Sequence, residues 1–139
     1  MKIQLTEYRI ETPARLQKVK AVWGKFLKDD DTWHFTLEGT YIELRVGLEG
    51  KPAKWVKEFE SYLRERKWNY TKFPYSDNIP ITRKYQKSFE KIFHGFSHLA
   101  MTIKRQKSLE GDKTEDLGRT FERCVHLFCN LNGLDWKNE

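Results

Sequence analysis

Long apolar runs and paired cysteines are what this sequence lacks. No apolar run approaches the roughly 18 residues that a membrane-spanning helix needs, so we predict no membrane span. Residues 1–7 lack the apolar core of a secretory signal peptide, which favours a cytoplasmic protein. The two cysteines, Cys124 and Cys129, lie about 140° apart around a helical pattern, which suits neither a disulfide nor a familiar zinc spacing. A reducing compartment is the natural interpretation.

Recognisable catalytic motifs are also absent. There is no glycine-rich phosphate loop, no Ser/His/Asp order and no CxxC pair, so we assign neither a nucleophile nor a cofactor. His94 and His98 have the i,i+4 spacing that places two imidazoles on one helix face for a metal. Neighbouring lysines disfavour a divalent ion, and no HExxH motif or adjacent carboxylate accompanies the pair. We therefore predict a solvated or anion-facing histidine pair and no metal.

Aromatic residues and positive charge are abundant. Aromatics make up 14% of the 139 residues, which argues against disorder and supplies much of the core of one domain. The formal net charge of +6 is compatible with an anionic partner such as nucleic acid, an acidic peptide or a phosphate group. A solvated surface of lysine and arginine is the common alternative.

A β-hairpin is the strongest local signal. Two alternating apolar and polar runs flank Glu38-Gly39, which predicts a turn at these two residues with His34 opposite Glu43. One face of the hairpin is core material: Trp33, Phe35, Leu37, Ile42, Leu44 and Val46. The other face gathers acid/base and anion-binding groups: His34, Thr36, Tyr41, Glu43 and Arg45. We expect function on this second face.

The elements around the hairpin predict the fold class. A strand at 2–10, with a bulge or a strand end near Thr6-Glu7, precedes a helix at 13–28 capped by Thr12. A helix at 52–66 and a strand at 68–73 follow the hairpin. Strand, helix, hairpin, helix, strand is the βαββαβ order of an α+β, ferredoxin-like fold with an antiparallel sheet. Both helices should cover the apolar face of the sheet.

Two further helices are predicted after this core. The first runs from Thr82 to about Lys107 and the second follows Thr114, so that one domain, 1–139, comprises a ferredoxin-like core at 1–74 and a helical pair at 82–132. The apolar positions of the first are Tyr85, Phe89, Ile92, Phe93, Phe96, Leu99, Ala100 and Ile103. Its opposite side carries Lys84, Lys87, Lys91, His94, His98 and Arg105. The polar side of the second carries Arg119, Arg123, His126 and Asn130.

These polar sides suggest two kinds of function. His126, beside arginines that hold an anion, could act as a general acid or base, although an ordinary surface histidine is the alternative. The basic stripe of Lys84, Lys87, Lys91 and Arg105 could instead track a nucleic-acid backbone, or bind a protein, without catalysis. On the polar face of the hairpin only Tyr41 could stack on a base, which counts against an RNA-recognition sheet.

Several segments resemble a known family. The run 121–139, with His126, Asn130, Gly133 and Glu139, resembles the closing helix of the lantibiotic dehydratase C-terminal domain, also called the thiopeptide-type bacteriocin biosynthesis domain. The hairpin segments 33–35 and 41–46 and the run 93–97 resemble other parts of that family in the same order. Leu131-Asn132 stands where the family has Arg-Leu, Glu43 replaces the first of two paired arginines, and the chain is shorter than the full family domain.

The resemblance implies a peptide-modifying protein of ribosomal natural-product biosynthesis. Such a protein would eliminate glutamate from glutamylated Ser or Thr, or perform a related cyclisation on a precursor peptide, and could work with a glutamylating partner protein. By the same resemblance, Arg45 would bind the leaving glutamate or the enolate and His126 would move protons. We place around them a set of substrate-binding residues: His34, Tyr41, Glu43, Arg119, Arg123 and Asn130. A shared site requires the final helix to lie over the polar hairpin face.

Overall fold

The computed structural model describes residues 4–76, 79–105 and Arg123. Its elements, in chain order, are β1 (Leu5–Glu11), α1 (Arg15–Val22), a π-helical turn (Trp23–Leu27), β2 (Trp33–Glu38), β3 (Tyr41–Gly47), α2 (Ala53–Glu65), β4 (Tyr70–Pro74), α3 (Pro80–Lys84) and α4 (Gln86–Arg105). The chain divides into two compact units, Met1–Ile103 and Lys104–Glu139. No helix in the described part of the chain is long and apolar enough to cross a membrane.

The four strands form one antiparallel sheet in the order β2-β3-β1-β4. The predicted α+β class with an antiparallel sheet is therefore confirmed. β1 pairs with β3 without interruption from Leu5 opposite Gly47 to Glu11 opposite Tyr41. The predicted bulge or strand end near Thr6-Glu7 is wrong, because every residue of β1 from Leu5 to Glu11 has its own partner. Glu7 consequently points to the same face of the sheet as Arg45, its cross-strand neighbour.

The predicted core face of the hairpin is buried. Ile42, Leu44 and Val46 on β3 and Trp33 on β2 have exposed fractions of 1% or less. Tyr8 and Ile10 on β1 continue the same face, and the helices α1 and α2 add Val19, Val22, Phe59 and Leu63 to one cluster. A buried face of this kind supplies most of the free energy of folding.

The hairpin turn lies one residue later than predicted. Glu38 pairs with Tyr41, so the turn is Gly39-Thr40, and Gly39 has a φ of 51° at its first central position. Glycine tolerates that backbone conformation, whereas other residues are strained in it. The shift moves the register by two residues and therefore leaves the two faces unchanged. It gives His34 a new partner, however: His34 lies opposite Arg45 and not opposite Glu43.

The first helix is shorter than predicted and changes pitch. It begins at Arg15 after a left-handed Ala14 with no side-chain cap, so the predicted cap at Thr12 is wrong. The Thr12 hydroxyl instead accepts a hydrogen bond from Lys18 Nζ. The chain passes into a π-helical turn that still directs Trp23 and Leu27 into the core. The second helix and the fourth strand lie close to their predicted positions, with α2 beginning directly after Pro52.

The predicted long helix is divided and its buried side is different. It does not begin at Thr82, because α3 begins at Pro80 and the helical pattern is interrupted before α4. Among residues 86–102 of α4, Ser97 and Met101 are the most buried, whereas Ile92 and Phe96 of the predicted apolar stripe are exposed. His94, predicted for the solvated side, contacts Trp33. The side of α4 that faces the sheet therefore differs from the predicted apolar side. Polar side chains of the helix face β2, where they have specific partners.

Candidate functional site

The polar face of the sheet carries an alternating set of charges, Glu7, Arg9, Glu43 and Arg45, here called the charge lattice. Arg45 lies opposite Glu7, and Arg9 lies opposite Glu43, on the two central strands. Arg45 Nε donates to Glu7 Oε1 at 2.8 Å, and Arg45 Nη2 donates to Glu43 Oε2 at 2.6 Å. Arg9 Nη2 lies 2.9 Å from Glu7 Oε2 and 3.5 Å from Glu43 Oε1. Each carboxylate thus contacts both guanidinium groups.

Burial makes this lattice unusual for a sheet surface. Glu7 is 2% exposed and Arg45 is 8% exposed, and charged side chains are rarely buried to this extent unless they are paired. Aromatic rings cover both cations: Arg9 lies 4.9 Å from the centre of the Phe73 ring, and Arg45 lies 4.7 Å from that of Tyr75. Two glutamates balance two arginines, so the lattice is formally neutral.

Arg45 has most of its hydrogen-bonding groups occupied. Besides its two carboxylate partners, its Nη1 donates to Thr36 Oγ1 at 3.1 Å. Thr36 Oγ1 in turn donates to Glu43 Oε2 at 3.1 Å, which holds the hydroxyl between the two charged groups. A guanidinium has five N–H groups, and the remaining ones can donate to a further acceptor. A free anion at this position would meet the negative charge of Glu7 and Glu43.

His34 connects the lattice to helix α4. It is 3% exposed, and its Nε2 lies 2.7 Å from Glu90 Oε2 on that helix. Its ring lies 5.2 Å from the ring of Phe93 and 5.7 Å from that of Tyr75, centre to centre. The polar hairpin face is therefore covered, in this region, by a helix that brings a carboxylate and an aromatic ring.

Two side chains of α4 bind the edge of β2. His94 Nδ1–H donates to the carbonyl oxygen of Trp33 at 3.0 Å, and the Phe35 amide donates to Ser97 Oγ at 3.0 Å. These backbone groups point away from β3, and without α4 they would lack a partner within the sheet. The two contacts explain why a histidine and a serine lie on the buried side of the helix.

A cavity of about 340 Å³ lies between α4 and the polar hairpin face. The polar face of the hairpin contributes His34, Thr36 and Arg45 to its lining. The remaining lining residues are mainly apolar or aromatic: Phe35, Tyr75, Phe93, Phe96, Ser97 and Ala100. A cavity of this volume, mostly apolar with a few converging polar groups, is typical of a site for a small molecule or for one side chain of a larger partner.

The structure brings some of the predicted site residues together and leaves others apart. His34 and Arg45 come together in the cavity, and Glu43 lies beside them through its contact with Arg45. Tyr41 is separate, since it lies exposed at the hairpin end, where its carbonyl accepts a hydrogen bond from Arg15. Arg123 is helical and exposed. The other predicted residues of the final helix, Arg119, His126 and Asn130, lie outside the described residues, as do Cys124 and Cys129.

Several residues of the site were not predicted. Glu7 and Arg9 lie in the first predicted strand, whose alternation breaks near Thr6-Glu7 and therefore assigns these two residues to neither face. Their i,i+2 spacing, matched by Glu43 and Arg45 on β3, was a signal that could have identified the lattice. Glu90, Ser97 and Tyr75 had no comparable signal, because their role depends on how a helix and a strand end pack against the hairpin.

Groups with clearly displaced pKa values lie elsewhere in the fold. Burial raises the pKa of Tyr8, and the hydrogen bond that its hydroxyl donates to Glu60 adds to this effect. Burial opposes ionisation of Glu60, but hydrogen bonds from Lys72 and Tyr8 outweigh it and lower its pKa. Asp30 behaves similarly, because hydrogen bonds from Lys51 and Thr32 lower its pKa against the effect of burial. The contacts of Glu60 connect α2 to β1 and β4, whereas the Asp30–Lys51 pair joins two connecting segments.

The described residues therefore define an α+β protein with a four-stranded antiparallel sheet, a buried charge lattice and an adjoining cavity. Among them, no group of three or more His, Cys, Asp or Glu side chains is arranged to hold a metal ion. Comparison of the chain with models of known protein families, with curated proteins and with solved structures finds no match.

Proposed function

We propose that this protein binds a ribosomally made precursor peptide during lanthipeptide or thiopeptide maturation, with one side chain of the peptide in the cavity beside α4. The observation that carries the proposal is the composition of that cavity. It joins Arg45, for which the family resemblance implies contact with the leaving glutamate or the enolate, and His34, which we place among the substrate-binding residues, to the aromatic rings of Phe93 and Tyr75. An apolar wall with a polar base suits a side chain delivered by an extended peptide.

The charge lattice favours holding the peptide over binding a free glutamate. Glu7 and Glu43 already neutralise Arg45, so a second anion gains less from that guanidinium than it would from an unpaired one. A carbonyl or hydroxyl oxygen of the peptide fits the remaining N–H groups without charge repulsion. Elimination of glutamate from glutamylated Ser or Thr, or a related cyclisation, remains part of the proposal as the reaction that such binding would serve.

We extend the proposal to the fold and the compartment. The order β2-β3-β1-β4, with every neighbouring pair antiparallel and a helix in each crossover, supports a ferredoxin-like assignment for the sheet and its first two helices. A cytoplasmic location suits a protein that meets a precursor peptide before export, and the unpaired spacing of Cys124 and Cys129 in the sequence supports it.

Peptide binding tests the proposal directly. A fluorescent precursor-type peptide with Ser or Thr beside an aromatic residue should bind the full chain, as followed by anisotropy. Phe93→Ala, which removes one wall of the cavity, should weaken binding by about tenfold, equivalent to about 1.4 kcal/mol. Ile92→Ala is the matched control, because Ile92 neighbours Phe93 on α4 but is exposed and does not line the cavity. Equal weakening by both variants, or no binding at all, contradicts the proposal.

Mass spectrometry tests the reaction separately. Incubation of the full chain with a glutamylated peptide should release glutamate and leave dehydroalanine or dehydrobutyrine if the protein is a lyase. Arg45→Lys, which keeps the charge but loses the planar set of donors, should reduce such turnover more than Arg15→Lys at the exposed hairpin end. Binding without release of glutamate identifies a holding protein and excludes elimination of this substrate.

A second candidate is a basic module that binds nucleic acid. It is favoured by the exposure of Lys84, Lys87 and Lys91 near the start of α4. Asp31 and Glu90 lie in the same depression as Lys87 and Lys91, which reduces the positive field there. Tight binding of an oligonucleotide that weakens steeply between low and physiological salt, and weakens further when these lysines are replaced, supports this candidate over the first.

A further inference from the structure

The two edges of the sheet differ in their partners. At the β2 edge, side chains of α4 bind the outward backbone groups of Trp33 and Phe35. β4, Tyr70–Pro74, forms the other edge, and no strand within residues 4–76 and 79–105 pairs along its outer side. An edge strand of this kind offers backbone groups to an incoming chain.

The register identifies the backbone groups that point outward. The Glu11 amide donates to the Asn69 carbonyl at 3.2 Å, and the Tyr75 amide donates to the Leu5 carbonyl at 2.9 Å. Residues of an antiparallel pair alternate between bonding to the partner strand and pointing away from it. Tyr70 and Lys72 therefore direct their N–H and C=O groups away from β1. Pro74 has the same orientation but no N–H, so it ends the available ladder.

Positive charge is concentrated where β4 begins. Arg64, Arg66 and Lys67 are exposed in the last turn of α2 and the connection that follows it. Two carboxylates accompany them: Glu60, which lies 3.8 Å from Arg64 Nη1 and 2.7 Å from Lys72 Nζ, and the exposed Glu65. The cations thus outnumber the carboxylates at this end of the strand.

The backbone holds Lys67 in an unusual conformation. Its φ is 58°, and the chain reverses there through hydrogen bonds from the Lys67 amide to Arg64 O and from the Trp68 amide to Leu63 O. Glycine is usual at this position after a helix, so the lysine is kept at a cost in strain. The lysine side chain lines an open depression of about 750 Å³ together with Arg64, Trp68, Asn69 and Tyr70.

We propose that an extended acidic peptide segment adds to β4 as a further antiparallel strand. The backbone of the peptide pairs with Tyr70 and Lys72. The acidic residues of the peptide lie on the C-terminal side of the residues that pair. The direction follows from the geometry, because the C-terminal end of an antiparallel strand lies beside the start of β4, where Arg64 and Lys67 are placed. This inference rests on the proposed function for its choice of a peptide partner, but it uses a surface separate from the cavity.

Backbone pairing and charge contribute differently to such a complex. The hydrogen bonds to Tyr70 and Lys72 are independent of peptide sequence, and β-branched residues suit the paired positions. Contacts with Arg64 and Lys67 are exposed, so they select for carboxylates but weaken with salt. The complex should therefore keep its register at high salt while its affinity falls.

Amide exchange in the full-length protein tests the pairing. The probe is a short peptide of alternating Thr and Val that ends in three acidic residues, and its control carries the same acids at the N-terminal end. The first peptide should slow exchange of the Tyr70 and Lys72 amides by at least about tenfold. The Thr71 and Phe73 amides already bond to β1 and should change little. The control peptide should bind at least about threefold more weakly.

Two variants at position 72 separate the contribution of the backbone N–H to peptide binding from that of the side chain. Lys72→Pro removes the outward N–H, whereas Lys72→Ala removes the ammonium group and keeps the N–H. Only the proline variant should lose protection of the Tyr70 amide by the peptide, provided that its spectrum shows the same fold. If the proline variant unfolds, protection of the two amides in the unmodified protein decides the question alone.

Other occupants of the edge give different results, and each overturns the inference. Protection of Tyr70 and Lys72 that rises with protein concentration in the absence of peptide indicates a second copy of the chain. Protection by a single-stranded oligonucleotide but not by the peptide indicates nucleic acid. Peptide binding that leaves both amides unprotected places the peptide elsewhere.

The cavity variant keeps the two proposals apart. Phe93→Ala changes the cavity and leaves β4 intact, so it should weaken binding of the precursor-type peptide and preserve protection by the acidic peptide. Protection without cavity binding supports strand addition and contradicts the proposed function. Binding of the precursor-type peptide in the cavity, without protection of the Tyr70 and Lys72 amides by the acidic peptide, supports the proposed function and contradicts strand addition.

Discussion

Arg45 Nε and Glu7 Oε1 lie 2.8 Å apart across the two central strands, and both side chains are almost fully buried. Burial makes such a pair costly to form but still more costly to break, because removing one partner leaves a charge without compensation. Glu43 and Thr36 share the same guanidinium, so Arg45 is the residue on which the polar face depends.

Replacement of Arg45 by methionine should therefore destabilise the protein by about 3 to 5 kcal/mol. The variant leaves Glu7 and Glu43 close together with Arg9, which is partly exposed, as the one remaining cation of the lattice. Arg15→Met is the control, because within the described residues Arg15 donates to the exposed Tyr41 carbonyl at the hairpin end, and its cost should stay below about 1 kcal/mol. Urea unfolding followed by fluorescence measures both. Similar costs for the two variants would show that the lattice contributes little to stability.

The hairpin shows how much of the site local sequence predicts. Alternation identifies its two faces correctly because a strand places successive side chains on opposite sides, whatever the register. The turn is harder to place, since glycine suits either of two adjacent turn positions; the pairing of Glu38 with Tyr41 puts Gly39 at the first of them. That single step exchanges Glu43 for Arg45 as the partner of His34.

The helix α4 shows where local sequence is insufficient. A 3.6-residue pattern predicts that the apolar side is buried. His94 and Ser97 face the sheet instead, because the edge of β2 offers a carbonyl and an amide that apolar side chains cannot bind. Such a preference depends on which strand forms the edge, and strand order is a property of the whole fold.

The contact between Ser97 and β2 predicts a second outcome. Ser97→Ala leaves the Phe35 amide without its acceptor, which should cost about 1 to 3 kcal/mol and speed exchange of that amide. Ser88→Ala, at an exposed position of the same helix, should change stability by less than about 0.5 kcal/mol. An unchanged exchange rate at Phe35 in the Ser97 variant would mean that water or another group replaces the hydroxyl.

Two glycines should respond in opposite directions to the same substitution. Gly39→Ala places a Cβ where φ is 51°, which should cost about 1 to 2 kcal/mol. Gly95 lies within α4, and in the described part of the chain a Cβ added there meets no atom beyond its own helical turn within 4 Å. Gly95→Ala should therefore stabilise the protein by about 0.5 to 1 kcal/mol through helix propensity. Thermal unfolding measures both shifts, and a destabilising Gly95→Ala would contradict the packing of that helix face.

Asp30 should make part of the free energy of unfolding depend on pH. Its pKa is lowered in the folded protein because, although burial opposes ionisation, hydrogen bonds from Lys51 and Thr32 favour the carboxylate. A group whose pKa falls on folding contributes stability above its unfolded value, about 3.8, and loses that contribution as the pH falls through the folded value. Asp30→Asn should therefore be less stable than the unmodified protein at neutral pH.

The difference between Asp30→Asn and the unmodified protein should shrink as the pH is lowered below about 4, because protonation then removes the same charge from Asp30. Asp29→Asn changes the net charge equally at an exposed neighbouring position, and its effect should stay within about 0.5 kcal/mol at neutral pH. Urea unfolding at a series of pH values gives the comparison. A gap that persists unchanged into acid would show that asparagine disturbs the packing after the π-helical turn, and that the charge pairing with Lys51 is not the cause.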